Sequence, residues 1–356
     1  MVVIDGSHGE GGGAVVRGAL SLSAVLSEPT RIENIRVKRP NPGLQAQHLT
    51  GVRAIAKVCR AKLRGAELGS RALTFTPRSS PQSGGYSWDV AEARKGGSAG
   101  STSLVFQALL LPLVMADGNS RVFLRGGTHV AWSPPFHYLQ MVYLPTLARV
   151  GIEADVAIEE WGWYPIGGGV IAAQITGLAR AATQIPGLEL NERGELRGLS
   201  GISAVSNLPE HIAGRQKRQA ESVLRREGFD PRIEIVDAPS KGRGTALFLL
   251  AEFENVRAGF TSLGRKGKPA EKVAEEACAE FLEYYSTGAA LDQHLADQLI
   301  LPLALAQGDS TFTTCRITQH LLTNAWVVEQ FLDRRFVVEG REGAPGSVTI
   351  RDGSGV

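Results

Sequence analysis

Apolar positions along this chain change rhythm in a repeating order. GAVVRGALSLSAVL at 13–26 spaces them at helical period, RIENIRV at 31–37 alternates like a strand, LQAQHLTGVRAIAKVC at 44–59 returns to helical spacing, and AKLRGAELGSRALTFTP at 61–77 predicts a pair of strands. The order recurs in STSLVFQALLLPLVMA, SRVFLRGGT, YLQMVYLPTLARVG, IEADVAIEE and GGVIAAQIT between 101 and 176. It recurs again in LADQLILPLALA, STFTTCRIT, HLLTNAWVVEQFL, RRFVVEG and GSVTIRD between 295 and 352. Strands separated by single helices imply layered α/β packing, so three such units are expected side by side, each sheet burying one face under two helices. The segment 180–275 breaks the pattern. Its basic helix PEHIAGRQKRQAESVLRREG and strands RIEIVDA and ALFLLAEF read as a small inserted α/β domain, leaving 1–179 and 276–356 as the large one.

The repeats align three histidines. His48, His137 and His320 each fall near the start of the second helix of a unit, in the contexts QAQHLT, PPFHYL and ITQHLLT. A helix N-terminus disfavours imidazolium, so each ring is expected to be neutral and to keep a lone pair for nucleophilic or metal-binding work. A histidine beside an apolar run is also a common packed or capping residue, and position alone does not choose among the three.

Composition narrows the setting. The chain has 356 residues, 43% hydrophobic and 21% charged, with a formal net charge of +2, so an anionic partner has to be met by a local patch. Cys59, Cys278 and Cys315 lack any C-x-x-C spacing, which argues against a disulfide framework or zinc site and fits a reducing, cytoplasmic setting. The start MVVIDGSHGE lacks a signal-like apolar core, and the greasiest stretch, LVFQALLLPLVMA, is short and interrupted, so no membrane association is expected.

Two stretches are suited to anions. DGSHGEGGGAVVRG crowds glycines around Glu10 before an apolar helix, offering backbone N–H groups to phosphate with Arg17 one turn on; Glu10 is either a solvated loop carboxylate or a divalent-cation ligand. IRVKRPNPGLQAQH carries Arg36, Lys38 and Arg39, then Gln47 and His48 beyond a Pro-Gly turn; strand alternation would put Arg36 and Lys38 on one face as phosphate readers. Glycine loops also occur in RKGGSAGSTS and YPIGGG, and Gln107, inside an apolar helix, needs a hydrogen-bond partner that a nucleotide could supply. GFTSLGRK at 259–266 misses the P-loop Lys-Ser/Thr pair, and no Lys-x-Asp-Gly element exists for a lysine nucleotidyl transferase.

Taken in order, DGSHGEGGGAVVRGALSLS, RPNPGLQAQHLT, GAELGS, GGSAGSTSLVFQALLLPL, YPIGGG, HLADQLILPLALA and HLLTN resemble successive signature blocks of the RNA 3'-terminal phosphate cyclase family. The resemblance implies a large domain of three βαβαββ units with a small thioredoxin-like insertion. It implies an ATP-dependent ligase that turns an RNA 3'-phosphate into a 2',3'-cyclic phosphate through a covalent histidine–AMP intermediate, with His320 as the nucleophile. It further implies Glu10 as ligand of Mg2+ or Mn2+. Arg17, Gln107 and the run His294, Leu295, Ala296, Asp297, Gln298 would meet ATP, and Arg36, Arg39, Gln47 and His48 the RNA end. Ala14 departs from the glutamine common in that block; Thr261 stands where an adenine-stacking aromatic is sometimes found, with Phe260 as its candidate substitute. The expected partners are 3'-phosphorylated RNA and ATP; the oligomeric state stays open, a homodimer included. A non-catalytic cyclase-like protein of ribosome biogenesis and an enolpyruvyl-transferase-like enzyme are the alternatives, and retention of His320 speaks against both.

Overall fold

A computed structural model describes residues 1–178 and 185–353. The expected domain boundary at 179/180 lies outside the described residues. Three four-stranded sheets each carry one repeat unit. Every unit opens on a strand that the apolar pattern did not single out: Val2–Asp5, Gly85–Asp89 and Glu189–Leu190. These strands are short or polar, too brief to set up a readable alternation. Adding them turns the helix-first order into βαβαββ. In all three sheets the unit's strands lie in the order first, second, fourth, third. The first two are parallel and the remaining pairs antiparallel.

The helices pack on one another between the sheets. Helix Gly13–Leu26 lies against Thr102–Val114 and Gln319–Glu329, joining the first unit to the other two. Gly18 permits the approach of Gln319–Glu329: a Cβ there would stand 3.5 Å from Val327 Cγ1. Thr102–Val114 is apolar almost all round and accordingly almost wholly buried. The second helix of the middle unit is broken into Phe136–Tyr138, a π-helical turn Leu139–Tyr143, and Leu144–Ala148. Pro145 has no N–H to give to the Met141 carbonyl, and the wider turn absorbs the missing bond.

One element departs from the strand reading of RIENIRV. The strand stops at Glu33, and Asn34 and Arg36 take positive φ of 53° and 54° in a turn that carries the chain to Arg39. Arg36 and Lys38 therefore do not share a strand face.

The insert has a sheet of its own, with strands Leu196–Ser206, Arg232–Asp237, Gly244–Phe253 and Arg257–Leu263. Helices His211–Arg226 and Ala270–Thr287 pack on it and on each other, and Arg215 grips Glu271 with two 2.7 Å bonds. The βαβββα connectivity, with the first strand parallel to the second and antiparallel to the third, is the thioredoxin-like arrangement that the resemblance implied. Because Glu189–Leu190 pairs with Ser310–Thr314 and Ala270–Thr287 covers the inserted sheet, we propose edges for the insert at 191 and 290 in place of 180 and 275. Tryptophans seam it to the middle unit: Trp163 Nε1 donates to Ser206 Oγ at 2.8 Å, and the Trp161 N–H to the Pro239 carbonyl at 2.8 Å.

Candidate active site

The glycine loop before helix Gly13–Leu26 folds over the start of helix Gln319–Glu329. His8 stacks on Trp326 with ring centroids 3.8 Å apart and planes 8° from parallel. Gly9 adopts φ of 56° hard against the Thr323 hydroxyl, a place without room for a Cβ. Folded this way, the loop delivers Glu10 to His320, whose Nε2 lies 2.9 Å from Glu10 Oε2. Arg39 Nη2 reaches the same oxygen at 3.1 Å. Burial alone would raise the Glu10 carboxyl; the hydrogen bond and charge of His320 and the charge of Arg39 more than offset this and hold it below the usual carboxylate range.

His320 occupies the second position of its helix, with Thr318 as N-cap accepting from the Leu321 N–H at 3.0 Å. Its side chain is 50% exposed. The two aligned histidines are placed otherwise. His48 Nδ1 accepts the Gln45 N–H at 3.1 Å, closing a capping box, and its Nε2 side is packed against Gly13. Desolvation, with Arg36 and Arg17 nearby, pushes it down to about 3. His137 is buried, bonded through Nδ1 to His129 Nε2 at 3.1 Å, and burial takes it down to about 4. Burial, and not the helix start, favours the neutral ring in both, and their ring nitrogens are engaged or enclosed. His320 is the most exposed of the three.

Arg17, Gln47 and His48 line a small cavity of about 20 Å³ with Gly13 and Gly51, room for roughly one water. Desolvation depresses the Arg17 guanidinium, while Tyr143 and Glu10 act the other way. Gln47 Oε1 accepts the Ser101 N–H at 3.0 Å, tying this corner to the 96–101 glycine loop. Arg36 is spent on structure: its Nε donates to the Gly43 carbonyl at 3.2 Å and its Nη2 to the Asn41 carbonyl at 3.1 Å, so it braces the turn before His48 and does not project as a phosphate reader.

The expected ATP-side run is divided. Leu295 and Ala296 are fully buried in the core, so their side chains cannot line a ligand site, contrary to expectation. Helical geometry gives the reason: positions three and four after the Asp292 N-cap turn inward, while His294 and Gln298, four apart, share the outer face. Asp297 is 8% exposed, and its Oδ1 takes a hydrogen bond from the Thr318 hydroxyl. It thereby steadies the N-cap of the His320 helix and is not open to a ribose; burial raises it to about 6 against the Thr318 bond. Its backbone carbonyl accepts from Asn324 Nδ2 at 2.9 Å. His294 bonds Glu280 of the insert at 3.2 Å; desolvation would lower it, but the Glu280 bond and the Asp292 charge prevail and lift it to about 9. Gln107, partly rather than fully buried, finds its partner within the chain, donating to Gln298 Oε1. Phe260 is 1% exposed inside the insert core against Phe281 and Tyr284, so it is not available to stack on adenine.

Sequence reasoning missed His8, Trp326 and Thr318, the residues that hold the loop and the helix start together. A signal existed: Trp326 follows His320 by six residues, and Thr318 precedes it at capping distance. Among the described residues no three His, Cys, Asp or Glu side chains converge as a metal site. A single carboxylate, Glu10, whose Oε1 has no partner among the described residues, fits Mg2+ or Mn2+ only where substrate phosphates complete the shell. No described helix is long and apolar enough to cross a membrane.

Comparison with known proteins covers nearly the whole chain. Residues 8–338 match the family model described as RNA 3'-terminal phosphate cyclase. A protein named RNA 3'-terminal phosphate cyclase from Nostoc punctiforme is 50% identical over 93% of this chain and 94% of its own. Proteins of the same name from Methylococcus capsulatus and Methanopyrus kandleri are 49% identical over 98% of this chain and 96% of theirs, and 42% identical over 99% of both. The chain belongs to the RNA 3'-terminal phosphate cyclase family of enzymes.

Proposed function

We propose that the protein cyclises RNA 3'-phosphate ends at the expense of ATP, with His320 as the transient carrier of AMP. The observation that carries this reading is the exposed His320 ring at a capped helix start, 2.9 Å from the Glu10 carboxylate, whose same oxygen Arg39 meets at 3.1 Å. His320 attacks the α-phosphorus of ATP, forming a P–N bond as pyrophosphate leaves. A terminal phosphate oxygen of the RNA then attacks the same phosphorus and frees the histidine. Finally the neighbouring 2'-hydroxyl attacks the activated 3'-phosphorus, loses its proton and expels AMP. A phosphate monoester dianion is a poor electrophile with no good leaving group, so adenylylation precedes closure, and closure gains from proximity.

Each residue has work suited to its surroundings. Glu10 accepts from His320 Nε2 in the free protein; the same carboxylate would hold Mg2+ or Mn2+ against the triphosphate, and loss of the Nε2 proton to solvent would leave that nitrogen's lone pair free to attack. The cation supplies neutralisation of phosphate charge. Thr318 and Asp297 keep the helix start in place, and its free N–H groups suit an anion there. Arg17, Arg39, Gln47 and His48 form the corner for the RNA terminal phosphate, with Arg36 bracing the turn. Gln107, Gln298 and His294 form the face turned to the nucleotide.

Incubation with α-labelled ATP followed by a denaturing gel tests the reading. The expected result is one covalently labelled band that is chased by RNA ending in a 3'-phosphate and barely by RNA ending in a 3'-hydroxyl, leaving a phosphatase-resistant end. Absence of label, or equal loss to both RNAs, would overturn it.

A further inference from the structure

Away from His320 one stretch of surface is unlike the rest. Trp132 is 99% exposed, and its φ of 64° puts a bulky side chain in the left-handed region that usually belongs to glycine and asparagine. Tyr164 is 79% exposed and Ile166 56%. Both loops leave the fold from one point: His129 and Trp163 form a parallel bridge, so the chain runs in the same direction from it to Trp132 and to Tyr164–Ile166. The base beneath is rigid and buried. His129 stacks on Trp161 at 4.0 Å with planes 9° apart, and its Nδ1 and Nε2 are bonded to Thr128 and His137.

Positive charge flanks these aromatic tips. Gly242 of the insert abuts the loop, where a Cβ would stand 3.7 Å from Ile166 Cβ, and its neighbours Lys241 and Arg243 are exposed. Among the described residues neither forms an ion pair. Arg125 Nη1 donates to the Gly168 carbonyl at 3.3 Å, although Asp89 and Glu160, 3.9 and 3.7 Å from its guanidinium, temper its charge. Exposed Arg94 and Lys95 precede the 96–100 glycine loop.

The surface also runs on into the site already described. Gly167 packs on Ala99, where a Cβ would stand 2.9 Å from Ala99 Cα, and the next turn of that loop ends at Ser101, bonded to Gln47 beside His48. Exposed rings with unpaired cations suit unstacked bases and their phosphates, and a membrane-inserting or protein-docking face would not require continuity with the terminal-phosphate corner. We propose that Trp132 and Tyr164 are a stacking platform for the unpaired nucleotides just upstream of the RNA 3' end, with Lys241 and Arg243 meeting their phosphates. This rests on the reading that RNA ends are the substrate.

The test uses fluorescently tagged oligonucleotides two and ten nucleotides long, each with a 3'-phosphate or a 3'-hydroxyl. The wild type is expected to bind the longer RNA more tightly. A Trp132→Ala/Tyr164→Ala variant loses that length advantage, on the order of tenfold for each lost stack, with the dinucleotide unaffected. Trp132→Phe/Tyr164→Phe keeps the rings and most of the advantage, which separates stacking from loop damage. Lys241→Ala/Arg243→Ala makes the salt dependence shallower by about 0.7 for each lost phosphate contact. A length advantage that survives the double alanine variant overturns the platform, as does a wild type indifferent to length, the result expected of a protein-docking face. Failure of the underlying chemistry reads differently: length-dependent binding of the 3'-hydroxyl RNAs would persist while no 3'-phosphate end became cyclic.

Discussion

His48 and His320 both stand in the first turn of the second helix of their units, within nearly the same words, QHLT and QHLLT, yet they are chemically unlike. At His48 the ring is turned into its own helix cap: Nδ1 accepts from Gln45, Gly13 covers the other nitrogen, and protonation is suppressed to about 3. At His320 the cap is made by Thr318 instead, so the ring is released from capping and stands beside Glu10 in solvent. Repetition thus supplies the place, and the cap decides whether the imidazole is structural or free to react: Gln45, three residues before His48, engages the ring, whereas Thr318, two before His320, caps the helix without it.

The comparison breaks most visibly through the rings themselves. His320→Ala is expected to abolish covalent labelling by α-labelled ATP, while His48→Ala keeps label and loses about 1 kcal/mol of stability with its cap bond. The reverse pattern on the gel would exchange their roles. Glu10→Ala comes next: it removes the group that distinguishes the two environments, and the divalent-ion concentration needed for half-maximal labelling should rise about tenfold or more. An unchanged metal titration would leave Glu10 as a tether for His320 only.

Arg39→Ala sharpens the contrast between the ATP step and the RNA step. Loss of one charge-assisted phosphate contact costs about 1.5 to 3 kcal/mol, roughly ten- to a hundredfold in transfer of AMP to a 3'-phosphate RNA, with labelling less affected. A variant slow only in becoming labelled would move Arg39 to the triphosphate. The smallest effect is on acid stability. His48 is held near 3, below its ordinary value of 6.5, so between those limits the unfolded chain binds more protons and stability falls as pH falls. His48→Gln preserves a side chain able to close the capping box and removes the titration, so its melting temperature should decline less steeply from pH 6 to pH 4. The maximum contribution is about 1.4 kcal/mol per pH unit, and His137, held near 4, retains a similar slope of its own.

Much of this was legible beforehand because long apolar runs carry their period openly. Six of the seven long helices that form the repeats and the insert's first helix fall where spacing put them, and the broken seventh is explained by a proline visible in the sequence. The opening strands were not legible: Glu189–Leu190 is two residues long and owes its existence to Ser310–Thr314 beside it. The site was readable as a set of residue types, Glu10, Arg39, His48 and His320, but not as a geometry. That Arg36 would brace a turn depends on two positive-φ residues following a strand cut short at Glu33. That Leu295 and Ala296 face the core while His294 and Gln298 face out depends on which side of their helix meets the other units.

The two-residue strand has a further consequence. Leu190 lies beside Phe312, and Leu291 bridges Thr314 on the same strand, so the chain leaves and re-enters the third sheet at points about 7 Å apart along it. The insert is therefore hung from a narrow hinge gap that a tight turn could span, and nothing in the strand order of the third sheet depends on what fills the gap. Such an arrangement makes the segment exchangeable as a cassette: a graft of different size or sequence could occupy the same doorway while the surrounding sheet kept its register, altering what the protein grips without redrawing the scaffold that holds His320.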